Sequence, residues 1–150
     1  MKRSFLYMLI LAVVLLLPAK ATDVGKLRPV QTIAVYKAGA AYVIETDTED
    51  IGRGESLSAA IENLKATTPA TIYLDTAQYL LVRDETLLDM LKPYLKDTVR
   101  VCQFKGKPPM DQVSKFLSAH AEKVTLDNWE KGNGLPLLDC TKGRLEFFVK

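Results

Sequence analysis

Apolar and polar positions change their spacing along this chain, and each change outlines an element. An unbroken apolar run, Phe5 to Leu17, comes first. Val30–Tyr36 (VQTIAVY) and Ala41–Thr46 (AYVIET) are rich in β-branched and aromatic residues; joined across Lys37-Ala38-Gly39, they predict a hairpin. Leu57, Ala60, Ile61 and Leu64 then recur at helical spacing behind Ser56, a suitable N-cap, and Thr67-Thr68-Pro69 ends the helix. Thr71–Leu74 and Gln78–Val82 read as two short strands or one bent strand. Asp84 can cap a second helix carrying Leu87, Leu88 and Leu91, which Pro93 terminates. Thr98–Phe104 returns as a strand, and Pro108-Pro109 suits the first turn of a third helix with Val113, Phe116, Leu117 and His120 on one face. Beyond it, Thr125–Lys131 reads as a short helix, Gly132–Pro136 as a loop and Leu145–Val149 as a terminal strand.

Strands alternating with helices predict an α/β (α+β) fold: a mixed β-sheet with an N-terminal hairpin and about three packed helices. Neither a linker nor an internal repeat divides residues 22–150, which predicts a single domain.

The first segment has a different reading. Lys2 and Arg3 precede the apolar run, and Pro18, Ala19 and Ala21 follow it, the pattern of a signal peptide cleaved after Ala21. A retained membrane anchor is the competing reading, but the 13 residues of the run fall short of the ~20 that a spanning helix needs. No cysteine lies at the cleavage point, so no lipid anchor is expected. The expected location is therefore secreted or extracytoplasmic.

Cleavage also changes the charge. The whole chain of 150 residues carries +2, but Lys2, Arg3 and Lys20 leave with the leader, so 17 basic and 18 acidic residues remain. That balance offers no basic footprint for a nucleic acid.

Candidate chemistry is sparse. The segment Gly52-Arg53-Gly54 before Ser56 reads as a loop between strand and helix, where glycines can cradle an anion at a helix N-terminus. A dinucleotide fingerprint needs a third glycine where Leu57 stands, the Gly-Lys-Ser/Thr of a P-loop is absent, and a turn before an N-cap accounts for the same residues. Gly52, Arg53, Gly54 and Ser56 are thus the candidate ligand-binding residues. The acidic run Glu45, Asp47, Glu49 and Asp50 lacks the register of a calcium loop and reads as a solvated strand end. Cys102 and Cys140 are candidates for a disulfide, which by loop closure would add up to about 4 kcal/mol; two buried free thiols are the alternative. With His120 as the sole histidine, no metal spacing and no serine or cysteine nucleophile emerges. No catalytic residue, metal or cofactor is assigned.

The passages GRGESLSAAIENLKATTPATIYLDTAQYLLVRDE and LLDMLKPYLKDTVRVCQFKGKPPMDQVSKFL add one further clue. Gly54, Ser56, Leu57, Ala60, Ile61 and Leu64, then Pro69, Tyr73, Leu81, Val82 and Glu85, then Val99 and Val101, resemble the N-terminal domain of the Ger(x)C family of spore germination receptor subunits. The likeness spans Val30 to Leu117 and follows a packing pattern. Family members are lipoproteins with further domains, whereas this sequence has no lipobox cysteine. The resemblance implies a role in sporulation or germination.

Together these readings lead to a non-catalytic exported interaction domain that docks on an envelope or membrane-associated partner. A small exported hydrolase and an anionic-ligand-binding protein are the alternatives.

Overall fold

The computed structural model describes residues 27–120 and 124–148, so the expected leader and its cleavage site lie outside the described residues. Three central strands carry apolar side chains on both faces and must be covered twice. In β2 (Thr32–Ala38), Ile33 and Val35 point one way and Ala34 the other. In β6 (Tyr79–Val82), Leu80 and Val82 oppose Tyr79 and Leu81; in β7 (Arg100–Gly106), Val101 opposes Cys102 and Phe104. Two apolar clusters result, one on each face of the sheet.

Helix α1 (Leu57–Thr67) and the short helix α2 (Leu87–Leu91) cover the first face through Leu57, Ile61, Leu64, Leu87, Leu88 and Leu91. Helix α3 (Met110–His120) covers the second through Met110, Val113 and Leu117. Each such leucine contributes about 1.5–3 kcal/mol by leaving water. Ser56 caps α1, its side chain accepting from Ala59 N at 3.1 Å. At the other end of the second helix, Pro93 lies in a 3-10 turn, Lys92–Tyr94, directly after α2.

Among the described residues the main sheet has seven strands in the order β4-β3-β2-β6-β7-β8-β9, where β3 is Ala41–Thr46, β4 Ile51–Gly54, β8 Leu137–Cys140 and β9 Glu146–Phe148. Strands β2, β6, β7 and β8 run parallel; β3 and β4 on one side and β9 on the other are antiparallel to their neighbours. The mixed α/β fold expected from the sequence is thus what forms, in one domain with three α-helices among the described residues. The N-terminal hairpin also forms, with Ala38 opposite Ala41 and Gly39 at φ 64, a backbone that glycine adopts without strain.

Thr71–Leu74 and Gln78–Val82 prove to be separate strands in different sheets. The first gives β5 (Thr71–Tyr73), which pairs in parallel with β1 (Leu27–Pro29) as a two-stranded sheet. A 3-10 turn, Leu74–Thr76, separates β5 from β6, and Thr76 Oγ1 ties it to Val30 by accepting from its N–H and donating to its carbonyl, both at 3.0 Å.

Two expectations are corrected, and one strand is added. Gly52-Arg53-Gly54 is not a loop but most of β4. Thr125–Lys131 is not a helix: Thr125 bridges Arg100 antiparallel, Leu126 N donates to Val99 O at 2.9 Å, and Leu126 and Trp129 enter the first apolar cluster. The segment before the terminal strand, Leu137–Cys140, is itself a strand, β8, and supplies the pairing partner of β7.

Candidate functional site

The glycines predicted to receive an anion instead receive a helix. A Cβ on Gly52 would lie 2.3 Å from Ala60 O, and one on Gly54 2.5 Å from Ala60 N, both backbone atoms of α1. Their hydrogen faces therefore let helix and strand approach more closely than any side chain allows. Arg53 N donates to Asn63 Oδ1 of α1 at 3.0 Å, so this outer edge of the sheet is partly closed. Ser56 holds its own helix terminus through Ala59 N. The four candidate ligand-binding residues are close together, but the faces of Gly52 and Gly54 serve strand–helix packing, while Arg53 and Ser56 are exposed.

The disulfide is not formed: Cys102 and Cys140 are both free thiols. The register explains this. Cys140 stands opposite Gly106, four residues along β7 from Cys102, or about 13 Å of strand at the usual rise. A disulfide needs Cα atoms within about 7 Å. Burial, with a smaller electrostatic contribution from Cys140, pushes the Cys102 thiol up to about 12. Burial and then Asp139 push Cys140 up to about 11. Neither is disposed to form a thiolate nucleophile at neutral pH.

His120 ends α3, where its Nδ1 lies 2.9 Å from Phe116 O and its ring stacks on Phe116 with centroids 4.4 Å apart. The acidic run closes a corner of the fold. Asp47 accepts from Gln31 N and from Ser114 Oγ, which also bonds the buried Thr32 Oγ1 at 2.8 Å; Asp50 pairs with Arg28 at 3.2 Å. These bonds tie α3 and the β3–β4 turn to the start of β2. Among the described residues, no group of three or more His, Cys, Asp or Glu side chains is placed to hold a metal ion.

The feature that sequence reasoning missed is a cleft of about 540 Å³ where the parallel strands β2, β6 and β7 point their carboxyl ends. Open α/β sheets commonly bind ligands at that end. Leu87 and Trp129 supply its apolar lining, and Lys37, Arg83, Gln103 and Lys131 stand around them together with Asp84–Thr86. No single motif could reveal it, because the residues come from four separated stretches. The nearest signal was the polar string Arg83-Asp84-Glu85 directly after an apolar strand.

Several of these residues are fixed. Arg83 Nη2 donates to Gly106 O at 3.2 Å, and its guanidinium sits 4.8 Å from the Tyr36 ring and 5.1 Å from the Phe104 ring. Gln103 Nε2 donates to Arg83 O at 3.0 Å. The Thr86 backbone N–H and hydroxyl hold the Asp84 carboxyl below its usual range, with a smaller contribution from Lys37. Trp129 is 7% exposed, and its indole N–H is buried without a hydrogen-bond partner.

Another groove, about 580 Å³, runs beside β5 between Lys65, Pro69, Asp75 and Tyr94. The two sheet edges differ: α1 guards β4, whereas β9 has no neighbour on its outer side among the described residues. Phe148, in that strand, is 49% exposed. Among the described residues, no helix is long and apolar enough to cross a membrane.

No protein-family model matches the chain, and no solved structure matches it.

Proposed function

We propose that this chain is a non-catalytic exported interaction domain, acting in sporulation or spore germination, which docks on an envelope or membrane-associated partner through the edge of β9. The observation that carries this reading is the asymmetry of the sheet. Asn63 takes the outward N–H of Arg53 at one edge, while β9 presents its backbone and the half-exposed Phe148 at the other. An open edge of this kind adds a partner strand by main-chain hydrogen bonds, with a neighbouring side chain setting specificity. The leader-like residues 1–21 support an extracytoplasmic setting, and the resemblance to the Ger(x)C N-terminal domain supports the biological context.

A photo-crosslinking amino acid placed at Phe148, in cells that produce the protein, tests the edge directly. An adduct with an envelope or membrane protein is expected from position 148, and none from the same group at Ile51 beside the guarded edge. Absence of an adduct at 148, or adducts confined to cytosolic proteins, would overturn the reading.

A further inference from the structure

The cleft at the carboxyl ends of β2, β6 and β7 combines a lining that wants an apolar group with a rim that wants an anion. Lys37, Arg83 and Lys131 stand on it, and among the described residues none of the three makes a salt bridge. Lys37 lies 4.7 Å above the Tyr42 ring, while the Arg83 guanidinium is turned to Tyr36 and Phe104 on the other face of the sheet, so Lys37 and Lys131 carry the charge that no ion pair compensates. Beside them, Leu87 and Trp129 are buried apolar side chains, and the indole N–H is a donor without an acceptor. A buried donor left unpaired costs free energy that a suitable acceptor would restore.

We propose that this cleft is a binding site for a small organic monocarboxylate with an apolar body. The body lies against Leu87 and Trp129, and the carboxylate accepts from the ammonium groups of Lys37 and Lys131 and from the unpaired Trp129 indole N–H. Charge selects the monoanion. Lys37 and Lys131 can each meet one oxygen of a single carboxylate, while the Asp84 and Glu85 carboxylates beside them oppose a second negative charge. Arg83 and Gln103 act as positioning residues, since their mutual bond and the bond to Gly106 hold the lip in place before a ligand arrives. The site is separate from the β9 edge, so it stands or falls independently of the docking reading.

Trp129 is the chain's single tryptophan, so its indole N–H resonance and its fluorescence report on this cleft alone. The probes are 3-phenylpropionate and octanoate, with 3-phenylpropionamide as the neutral counterpart and phenyl phosphate as the dianion. Both carboxylates are expected to move the indole resonance saturably at millimolar concentration, more strongly at low ionic strength, with the amide and the phosphate weaker. Lys131→Met and Lys37→Met should each weaken the carboxylates by about fivefold to tenfold, the effect of one charged partner. Unchanged resonances elsewhere in the spectrum show that these surface variants fold. An indole resonance that neither carboxylate moves would overturn the proposal. So would equal binding of the amide, tighter binding of the phosphate, or titrations indifferent to both lysine substitutions.

Discussion

Gly52→Ala adds a single methyl group where the structure has no room for one. Its Cβ would lie 2.3 Å from Ala60 O, 2.6 Å from Leu64 Cβ and 2.9 Å from Leu64 N. Non-bonded heavy atoms prefer about 3.5–4.0 Å, so α1 must retreat from β4 by roughly 1 Å. Two of the three opposing atoms are backbone and cannot rotate away, which puts the cost at the top of the range for overpacking, about 3 kcal/mol. The backbone at Gly52 is not in the left-handed region, so alanine meets no φ penalty there. The smaller entropy of the unfolded alanine chain returns only about 0.4–1 kcal/mol. Leu57, Ala60, Ile61 and Leu64 all ride on α1, so the displacement also disturbs buried contacts beyond the glycine.

Urea unfolding followed by Trp129 fluorescence measures the loss. With a slope of about 1.5 kcal/mol per molar, a destabilisation of 2–3 kcal/mol lowers the midpoint by about 1.5–2 M. Gly39→Ala is the control, since open space surrounds that position and its φ of 64 alone is at issue. It should cost only about 1 kcal/mol. A Gly52→Ala midpoint within a few tenths molar of the parent would refute the close-packing argument. Full stability with loss of anion binding would return the glycines to the role first expected of them.

Two further outcomes follow from the titratable groups. Burial, and then the 2.5 Å hydrogen bond to Glu45, raise Tyr36 to about 12, so its phenol should ionise well above the ordinary tyrosine value in an ultraviolet titration, and Glu45→Gln should bring it down. A folded value above the unfolded one means that this contribution to stability is complete below pH about 10 and is lost as pH rises toward about 12; ionisation of Tyr36 at the ordinary value would refute it. The protein purified without reductant should yield two free thiols after denaturation, with half-buried Cys140 alkylated faster than buried Cys102 in the native state. Thiols detected only after reduction would show that the strands can shift far enough to bridge.

Where one face of an element alone decided its structure, the sequence was sufficient. The Leu57–Leu64 stripe, its Ser56 cap, the Gly39 hairpin and the β-branched runs of β2 and β7 are local patterns, and each element formed where its pattern lay. Strand β4 was illegible because IGRG has neither alternation nor β-branched density beyond Ile51; its partner Tyr42–Glu45 and the closeness of α1 make it a strand. The segment 125–131 had helical spacing but gave its backbone to β7 and its apolar side chains to the core, so tertiary pairing overrode local preference. The candidate residues Gly52, Arg53, Gly54 and Ser56 were near one another for a packing reason that glycine content alone does not distinguish from a ligand-binding one. The cleft needed Lys37, Arg83, Gln103 and Trp129 to converge from distant stretches, information that lies in the topology.

That topology also sets the order in which the chain can assemble. Strands β2, β3 and β4 pair with their sequence neighbours, so the first hairpins close locally, whereas Thr32 must wait for Tyr79 and Gln103 for Leu137. Until those distant segments arrive, the inner edge of β2, with Ile33 and Val35 beside it, is bare. A nascent chain held at that stage displays a sticky half-sheet, and slow closure of long loops makes this the interval in which it is most exposed to self-association.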